Sequence, residues 1–136
     1  MRLSMPEKKW IVFAILVIGA VIGVGVAVAT VTSSNLVDTN SVRLRSDRSH
    51  FVPSADQPRF SSGWHTHPGP VIIQVQEGFL KITQGTCHPT VVGPGETYVE
   101  TPELPVNATA NQAVSWTATL IVPVGAPLRT NTTDPC

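Results

Sequence analysis

The stretch Gly63–Ile82, which reads GWHTHPGPVIIQVQEGFLKI, carries the most information about the fold. In it an apolar run, Val71–Gln76, leads into a turn signal at Glu77-Gly78, and a second run, Phe79–Thr83, follows. Short apolar runs separated by turn residues are typical of antiparallel strands. This part of the chain therefore predicts a β-hairpin with a His-x-His pair just ahead of its first strand.

The same alternation of runs and turns continues toward the C-terminus. Further strands are predicted at Val91–Val92, Thr97–Glu100, Val106–Ala110 and Val114–Val122. In the last of these, apolar and polar residues alternate, which indicates a strand with one face in the core. Strands that recur every 8–12 residues or so favour an all-β sandwich or small barrel.

Upstream of the quoted stretch the signal is weaker. Val42 and Leu44 alternate with arginines and predict a short strand, whereas Ser33–Asn40 is polar. We therefore predict a linker over residues 33–42 and a folded domain over residues 43–136. Past Thr32 the chain has six basic and eight acidic side chains, and the lack of a basic surplus argues against nucleic acid as a partner.

The N-terminal part has the composition of a membrane span. Ile11–Val31 has 21 residues with no charge, and as a helix it would measure about 31 Å, the thickness of a hydrocarbon core. Trp10 stands at its start and three basic residues precede it. By the positive-inside rule we predict a cytoplasmic tail (1–9), a transmembrane helix (10–32) and an extracytoplasmic domain at the cell membrane.

A cleaved signal peptide is the alternative, because Ala27-Val28-Ala29 offers an A-x-A cleavage site. Both alternatives export the domain. Gly19, Gly23 and Ala27 recur at four-residue spacing, which lets two membrane helices approach closely. This spacing predicts a contact with a membrane-protein partner, although small residues are also common in membrane helices in general.

Cys87 and Cys136 are the only cysteines. In an oxidising compartment such a pair tends to be bridged. We predict a disulfide between them, which would close a loop of about 50 residues and contribute roughly 4 kcal/mol in the chain-entropy model.

His65 and His67 are candidate metal ligands. Two histidines at positions i and i+2 of an extended backbone point to the same side, so both imidazoles could meet one ion. The motif alone is a weak signal, and two surface histidines near a strand end are the alternative.

The segment Gly63–Pro70, the strand after it and the Glu77-Gly78 turn resemble the first motif of the cupin superfamily, and Gly95–Asn111 resembles a degraded second motif. The resemblance covers about Arg43–Cys136. It implies a cupin-type β-barrel, also called a double-stranded β-helix or jelly roll, and a homodimer.

The family's metal site uses both histidines of the first motif, a carboxylate and a histidine of the second motif. Here the carboxylate position falls on Val71 and the second-motif histidine on Asn107. Asn107 could still contribute its amide oxygen, and Glu100 is the best substitute carboxylate. The resemblance therefore implies either no metal or a weakly bound divalent ion.

With two of four ligands replaced, the sequence favours a non-catalytic, membrane-anchored module that binds a small ligand or serves as an accessory subunit. Trp64, Tyr98 and Trp116 are the candidate pocket residues. The alternative is a metal-binding cupin with His65 and His67 as ligands, acting as a metal-dependent oxygenase or isomerase.

Overall fold

The computed structural model describes residues 29–136, and within this range all regular secondary structure is β. The eleven strands are β1 (Thr30–Asp38), β2 (Val42–Phe51), β3 (Phe60–Ser61), β4 (His65–Thr66), β5 (Val71–Glu77), β6 (Leu80–Gln84), β7 (Thr90–Val92), β8 (Thr97–Glu100), β9 (Val106–Ala110), β10 (Val114–Pro123) and β11 (Thr130–Asn131).

The strands form two antiparallel sheets. One has the order β1-β2-β10-β5-β8, and the other has the order β11-β4-β9-β6-β7, with β3 also paired to β9. Consecutive strands of the chain often lie in different sheets, as expected for a jelly roll rather than for a simple meander. The all-β architecture predicted from the sequence is confirmed.

The core fills the space between the sheets. In β5, Val71, Ile73 and Val75 are buried, since alternate residues of a strand face the same side. They meet the buried residues of β6 and β9 in the opposite sheet, such as Leu80 and Val106. Each fully buried aliphatic side chain of this kind contributes about 1.5–3 kcal/mol by leaving water.

Aromatic rings close one end of this core. The ring of Phe60 lies with its centroid 5.8 Å from that of Phe51 and 5.1 Å from that of Trp116, both in tilted geometry. Tilted pairs at these distances are favourable for aromatic rings. The cluster joins β2, β3 and β10, and so connects the two sheets.

Two glycines hold the central hairpin in place. Gly78 has φ of 73° in the turn between β5 and β6, a conformation that favours glycine. A Cβ at Gly69 would fall on the carbonyl oxygen of Ile121 in β10. Only glycine lets the segment between the histidines and β5 approach β10 this closely, so this segment is fixed against the sheet.

The strand bounds agree closely with the sequence. The strands Thr97–Glu100 and Val106–Ala110 have their predicted ends, and β5, β6, β7 and β10 differ from the predictions by one residue at one or both ends.

The N-terminal side differs from the predictions. Residues 33–38 of the segment predicted as a linker belong to β1, which pairs with β2 with one irregularity between Asn35 and Val37. β2 itself has ten residues, whereas the sequence predicted only a short strand around Val42 and Leu44. The side chains of β1 are polar or exposed, and its regularity comes from backbone hydrogen bonds to β2. The first residues of β1, Thr30–Thr32, also belong to strand and not to the predicted helix.

Nothing within residues 29–136 is a helix of the length and apolarity that crossing a bilayer requires. The rest of the predicted span, with Gly19, Gly23 and Ala27, lies outside the described residues.

The predicted disulfide is present. Cys87, in the connection between β6 and β7, is bonded to Cys136, and their Cα atoms are 5.5 Å apart. The bond ties the C-terminal residues after β11 to the second sheet.

Candidate metal centre

The two histidines of the first motif face the interior from β4 and its end. His65 pairs with Val106 of β9 and with Asn131 of β11. His65 and His67 are 6% and 8% exposed, and their rings meet edge to face with the two Nε2 atoms 3.0 Å apart. The prediction that both imidazoles point to one side is confirmed.

A carboxylate joins them from the other sheet. Glu100 ends β8, is 4% exposed, and places its Oε2 atom 3.5 Å from Nε2 of His67. The three ligand atoms of His65, His67 and Glu100 lie within 4.8 Å of one another. Glu100 pairs directly with Val71 of β5, the position at which the resemblance implied a carboxylate, so the neighbouring strand supplies a carboxylate beside that position.

Backbone carbonyls determine which nitrogen of each imidazole carries the proton. Nδ1 of His65 lies 2.8 Å from the carbonyl oxygen of Gly63, and Nδ1 of His67 lies 2.6 Å from that of Leu128. A carbonyl oxygen can only accept, so each Nδ1 carries a proton and donates it. In the neutral rings both Nε2 atoms are then unprotonated, and their lone pairs face each other.

Burial favours this neutral state. It lowers the pKa of His65 to about 4 and lowers the pKa of His67, with the nearby charge of Arg129 acting in the same direction in both. Burial raises the pKa of Glu100 to about 7, against the opposing effect of Arg129. Neutral imidazole is the form that ligates a metal, and a hydrogen bond from Nδ1 to a carbonyl is the usual support of such a ligand.

The residues fit a divalent transition metal. Oε2 of Glu100 is buried and has no hydrogen-bond partner within residues 29–136. Two atoms that each bind one ion at about 2.1 Å can be at most about 4.2 Å apart. The His65–His67 and His67–Glu100 separations, 3.0 Å and 3.5 Å, are smaller, and all three ligand atoms lie within 4.8 Å of one another. Two imidazoles and a carboxylate suit iron or zinc, and the same trio with open positions is typical of non-haem Fe(II) sites.

The cluster opens into a cavity of about 420 Å³ between the sheets. This volume is in the range of small-molecule sites. Its walls are mainly apolar, and they come from both sheets and from the start of β1. They include Ala29, Val31, Phe60, Ile73, Ala108, Trp116, Leu120 and Leu128.

Asn107, the other candidate ligand, is not among the three residues whose ligand atoms the structure brings together. In β9 the neighbours Val106 and Ala108 are buried, and Asn107 between them points to the other face of the sheet. Its Oδ1 atom accepts hydrogen bonds from the hydroxyls of Ser61, at 3.0 Å, and Ser62, at 3.3 Å.

Only one of the three predicted pocket aromatics lines this cavity. Trp116 forms part of its wall, and Trp64 and Tyr98 do not. Trp64 precedes the inward-facing His65, and adjacent residues of an extended chain point to opposite sides. Tyr98 shares a face with Glu100 on β8, an edge strand, and packs against the side of the core.

The sequence reasoning missed Arg129, which lines the cavity next to the cluster. Its guanidinium donates to the carbonyl of Ser62, at 3.1 Å, and to Oδ1 of Asn131, at 3.0 Å. One signal was available, because Arg129 is the only lysine or arginine after Lys81.

Several solved structures resemble this fold. A double-stranded β-helix domain protein from Klebsiella pneumoniae is 18% identical, with a TM-score of 0.55 over 76% of this chain and 85% of that one. A cupin superfamily protein from Desulfitobacterium hafniense is 14% identical, with a TM-score of 0.53 over 90% and 99%. The DMSP lyase DddQ from Ruegeria pomeroyi is 13% identical, with a TM-score of 0.56 over 75% and 51%.

No protein-family model matches the sequence, and no curated protein matches it either. Taken with the two sheets and the His-x-His motif, the structural neighbours identify the chain as a cupin-fold domain. At these identities the similarity concerns the fold, and the function has to be argued from the site.

Proposed function

We propose that this protein is a metal-binding cupin that holds one divalent transition-metal ion through His65, His67 and Glu100. The two Nε2 atoms lie 3.0 Å apart, and their lone pairs face each other because each Nδ1 holds the proton. Beside them lies a buried carboxylate oxygen with no hydrogen-bond partner among the described residues, and this arrangement carries the proposal. Without a cation or an extra proton between them, these lone pairs repel one another and a buried acceptor is left unsatisfied.

When bound, such an ion would act as a Lewis acid on an oxygen of a small molecule in the cavity. The residues of the chain supply the rest. The carbonyls of Gly63 and Leu128 orient the two imidazoles, and the apolar walls exclude water from the cluster. The three side chains leave open coordination positions on a transition metal, which favours metal-dependent chemistry of the oxygenase or isomerase type.

The sequence favoured a non-catalytic module because two of the four metal-ligand positions are replaced. Glu100 supplies a carboxylate, which weakens that argument. A protein that binds the ion and a small molecule without turnover remains the second candidate, because the second-motif histidine has no substitute at Asn107.

We also propose that the domain is exported and anchored at the cell membrane by residues 10–28, with residues 1–9 in the cytoplasm. The apolar run beginning at Ile11, the basic residues ahead of it and the Cys87–Cys136 disulfide support this placement. Contact of the helix with a membrane-protein partner or a second copy, through Gly19, Gly23 and Ala27, is part of the same proposal.

The test is the metal content of the full chain, prepared without a histidine tag, stripped with chelator and then equilibrated with Fe(II), Mn(II) or Zn(II). We expect about one ion per chain, and little in a His65→Ala/His67→Ala variant or in Glu100→Ala. The matched control is His50→Ala/His88→Ala, which removes two exposed histidines and should retain the ion. Equal metal in the two double variants, or none in the wild type with any of the three ions, would overturn the proposal.

A further inference from the structure

We propose that the cavity takes a small organic carboxylate with an apolar body, whose charged end lies at the metal centre and Arg129. This inference rests on the proposed function, because it counts the charge of the metal ion. It names the class of ligand that the site selects.

The charges at the polar end favour an anion. A divalent ion, the ionised Glu100 and the exposed guanidinium of Arg129 leave a net charge of about +2 at this end of the cavity, which attracts an anionic ligand. Arg129 forms no ion pair within residues 29–136. Its two hydrogen bonds go to neutral oxygens of Ser62 and Asn131, so they hold the guanidinium in position without neutralising its charge.

Asp47, the other carboxylate in the cavity wall, does not cancel the attraction for an anionic ligand. Asp47 accepts a hydrogen bond from Nε of Arg45 at 2.8 Å, and the two side chains form an ion pair. Its charge is therefore balanced by its own partner, which leaves Arg129 and the ion as the uncompensated positive groups.

The apolar part of the cavity determines the polarity and the length of the uncharged part of the ligand. Beyond the polar cluster, the wall is formed mainly by apolar side chains such as Ile73, Leu120 and Trp116, with Asp47 and Ser49 of β2 among them. Leu120 and Val71 lie in the same cross-strand row as Glu100, and Trp116 lies four residues further along β10. At about 3.4 Å per residue the apolar wall extends roughly 14 Å from the metal end, enough for a short alkyl chain or one aromatic ring with a linker.

Two probes that differ only in their polar end test the proposal. We would titrate 3-phenylpropanoate and 3-phenylpropan-1-ol into the metal-loaded full chain in amphipol, by calorimetry, against a blank of amphipol alone. We expect the carboxylate to bind at least tenfold more tightly than the alcohol. Arg129→Gln should weaken the carboxylate about tenfold and leave the alcohol unchanged. Arg48→Gln, which removes an exposed arginine of β2 outside the cavity wall, is the matched control.

A second readout reports contact with the ion itself. In Co(II)-loaded protein, the carboxylate should change the visible absorption of the metal and the alcohol should not. Metal content is measured on the same samples, which separates the two proposals. Equal affinity of the two probes for metal-loaded protein overturns the ligand class while the metal site stands. If no metal is bound and Arg129→Gln still weakens only the carboxylate, the metal proposal fails and the anion site stands on Arg129.

Discussion

The two ends of the cavity are built on opposite principles. At the aromatic end, Phe51, Phe60 and Trp116 are buried and pack against one another, so every contact stabilises the fold. At the metal end, three buried polar groups are brought together with facing lone pairs and an oxygen that has no hydrogen-bond partner in the described part of the chain. The difference indicates that the aromatic end adds to the stability of the fold, whereas the polar groups of the metal end are kept at a cost in stability, which is typical of functional sites.

The largest effect is expected at the aromatic end. Trp116→Ala removes a ring that packs on Phe60 and is only 6% exposed, so it should lower the free energy of unfolding by about 3–5 kcal/mol. Guanidinium unfolding followed by circular dichroism measures this. The loss should be the same with and without metal, and a loss below about 1 kcal/mol would show that this cluster is not central to stability.

The next effect belongs to the metal end. A metal that binds only the folded protein should raise the free energy of unfolding by about 2.7 kcal/mol at a free concentration 100-fold above its Kd. Glu100→Ala should abolish this gain, whereas Trp116→Ala should keep it. A gain that survives in the Glu100 variant would place the metal elsewhere.

The pH dependence of the metal-free protein sharpens the comparison further. Burial raises the pKa of Glu100 from 4.5 to about 7. Between these values the folded protein binds the extra proton, so this group makes stability fall as pH rises. Burial lowers the pKa of His65 from 6.5 to about 4, and in that window the unfolded chain binds the extra proton, so this group makes stability rise with pH.

Burial lowers the pKa of His67 as well, so Glu100 offsets only part of the rise that the two histidines produce. Stability of the wild type should therefore rise weakly with pH between about pH 4.5 and 6.5. Glu100→Gln removes the falling contribution, so stability should then rise with pH, by up to about 1.4 kcal/mol per unit for each histidine proton. His65→Ala removes one of the two rising contributions and should flatten the profile. Unfolding curves at four or five pH values test this, and a Glu100→Gln profile identical to that of the wild type would contradict it.

The smallest effect is expected at Asn107. Asn107→Ala removes the acceptor of the Ser61 and Ser62 hydroxyls, at a cost of about 1 kcal/mol. The affinity for metal should change less than twofold, because the side chain faces away from the cluster. A large fall in affinity, measured by competition with a chromogenic chelator, would return Asn107 to the site.

The sequence predicted the strands whose apolar residues face the core, such as β5 and β10, because burial on one face produces alternation. The sequence did not predict the full length of β2. Its inward side chains include Asp47 and Ser49, which line the cavity, so apolar and polar residues do not alternate along this strand. Glu100 could be predicted as a substitute ligand because its strand ends near the second motif. Its pairing with Val71 depends on a register between distant strands, which no local pattern records.

The position of β1 determines how freely the barrel could move relative to the proposed membrane anchor. Ala29 and Val31 belong to the cavity wall, and β1 pairs with β2 from Thr30 onward. A membrane helix that ends by residue 28 would therefore have no flexible linker between it and the barrel. The proposed anchor would then hold the barrel at the bilayer surface in a restricted set of orientations. A flexible linker would instead let the barrel reorient freely. A soluble fragment cut at residue 33, the boundary that composition favours, would lack the first part of this wall. Its ligand affinity would understate that of the intact protein.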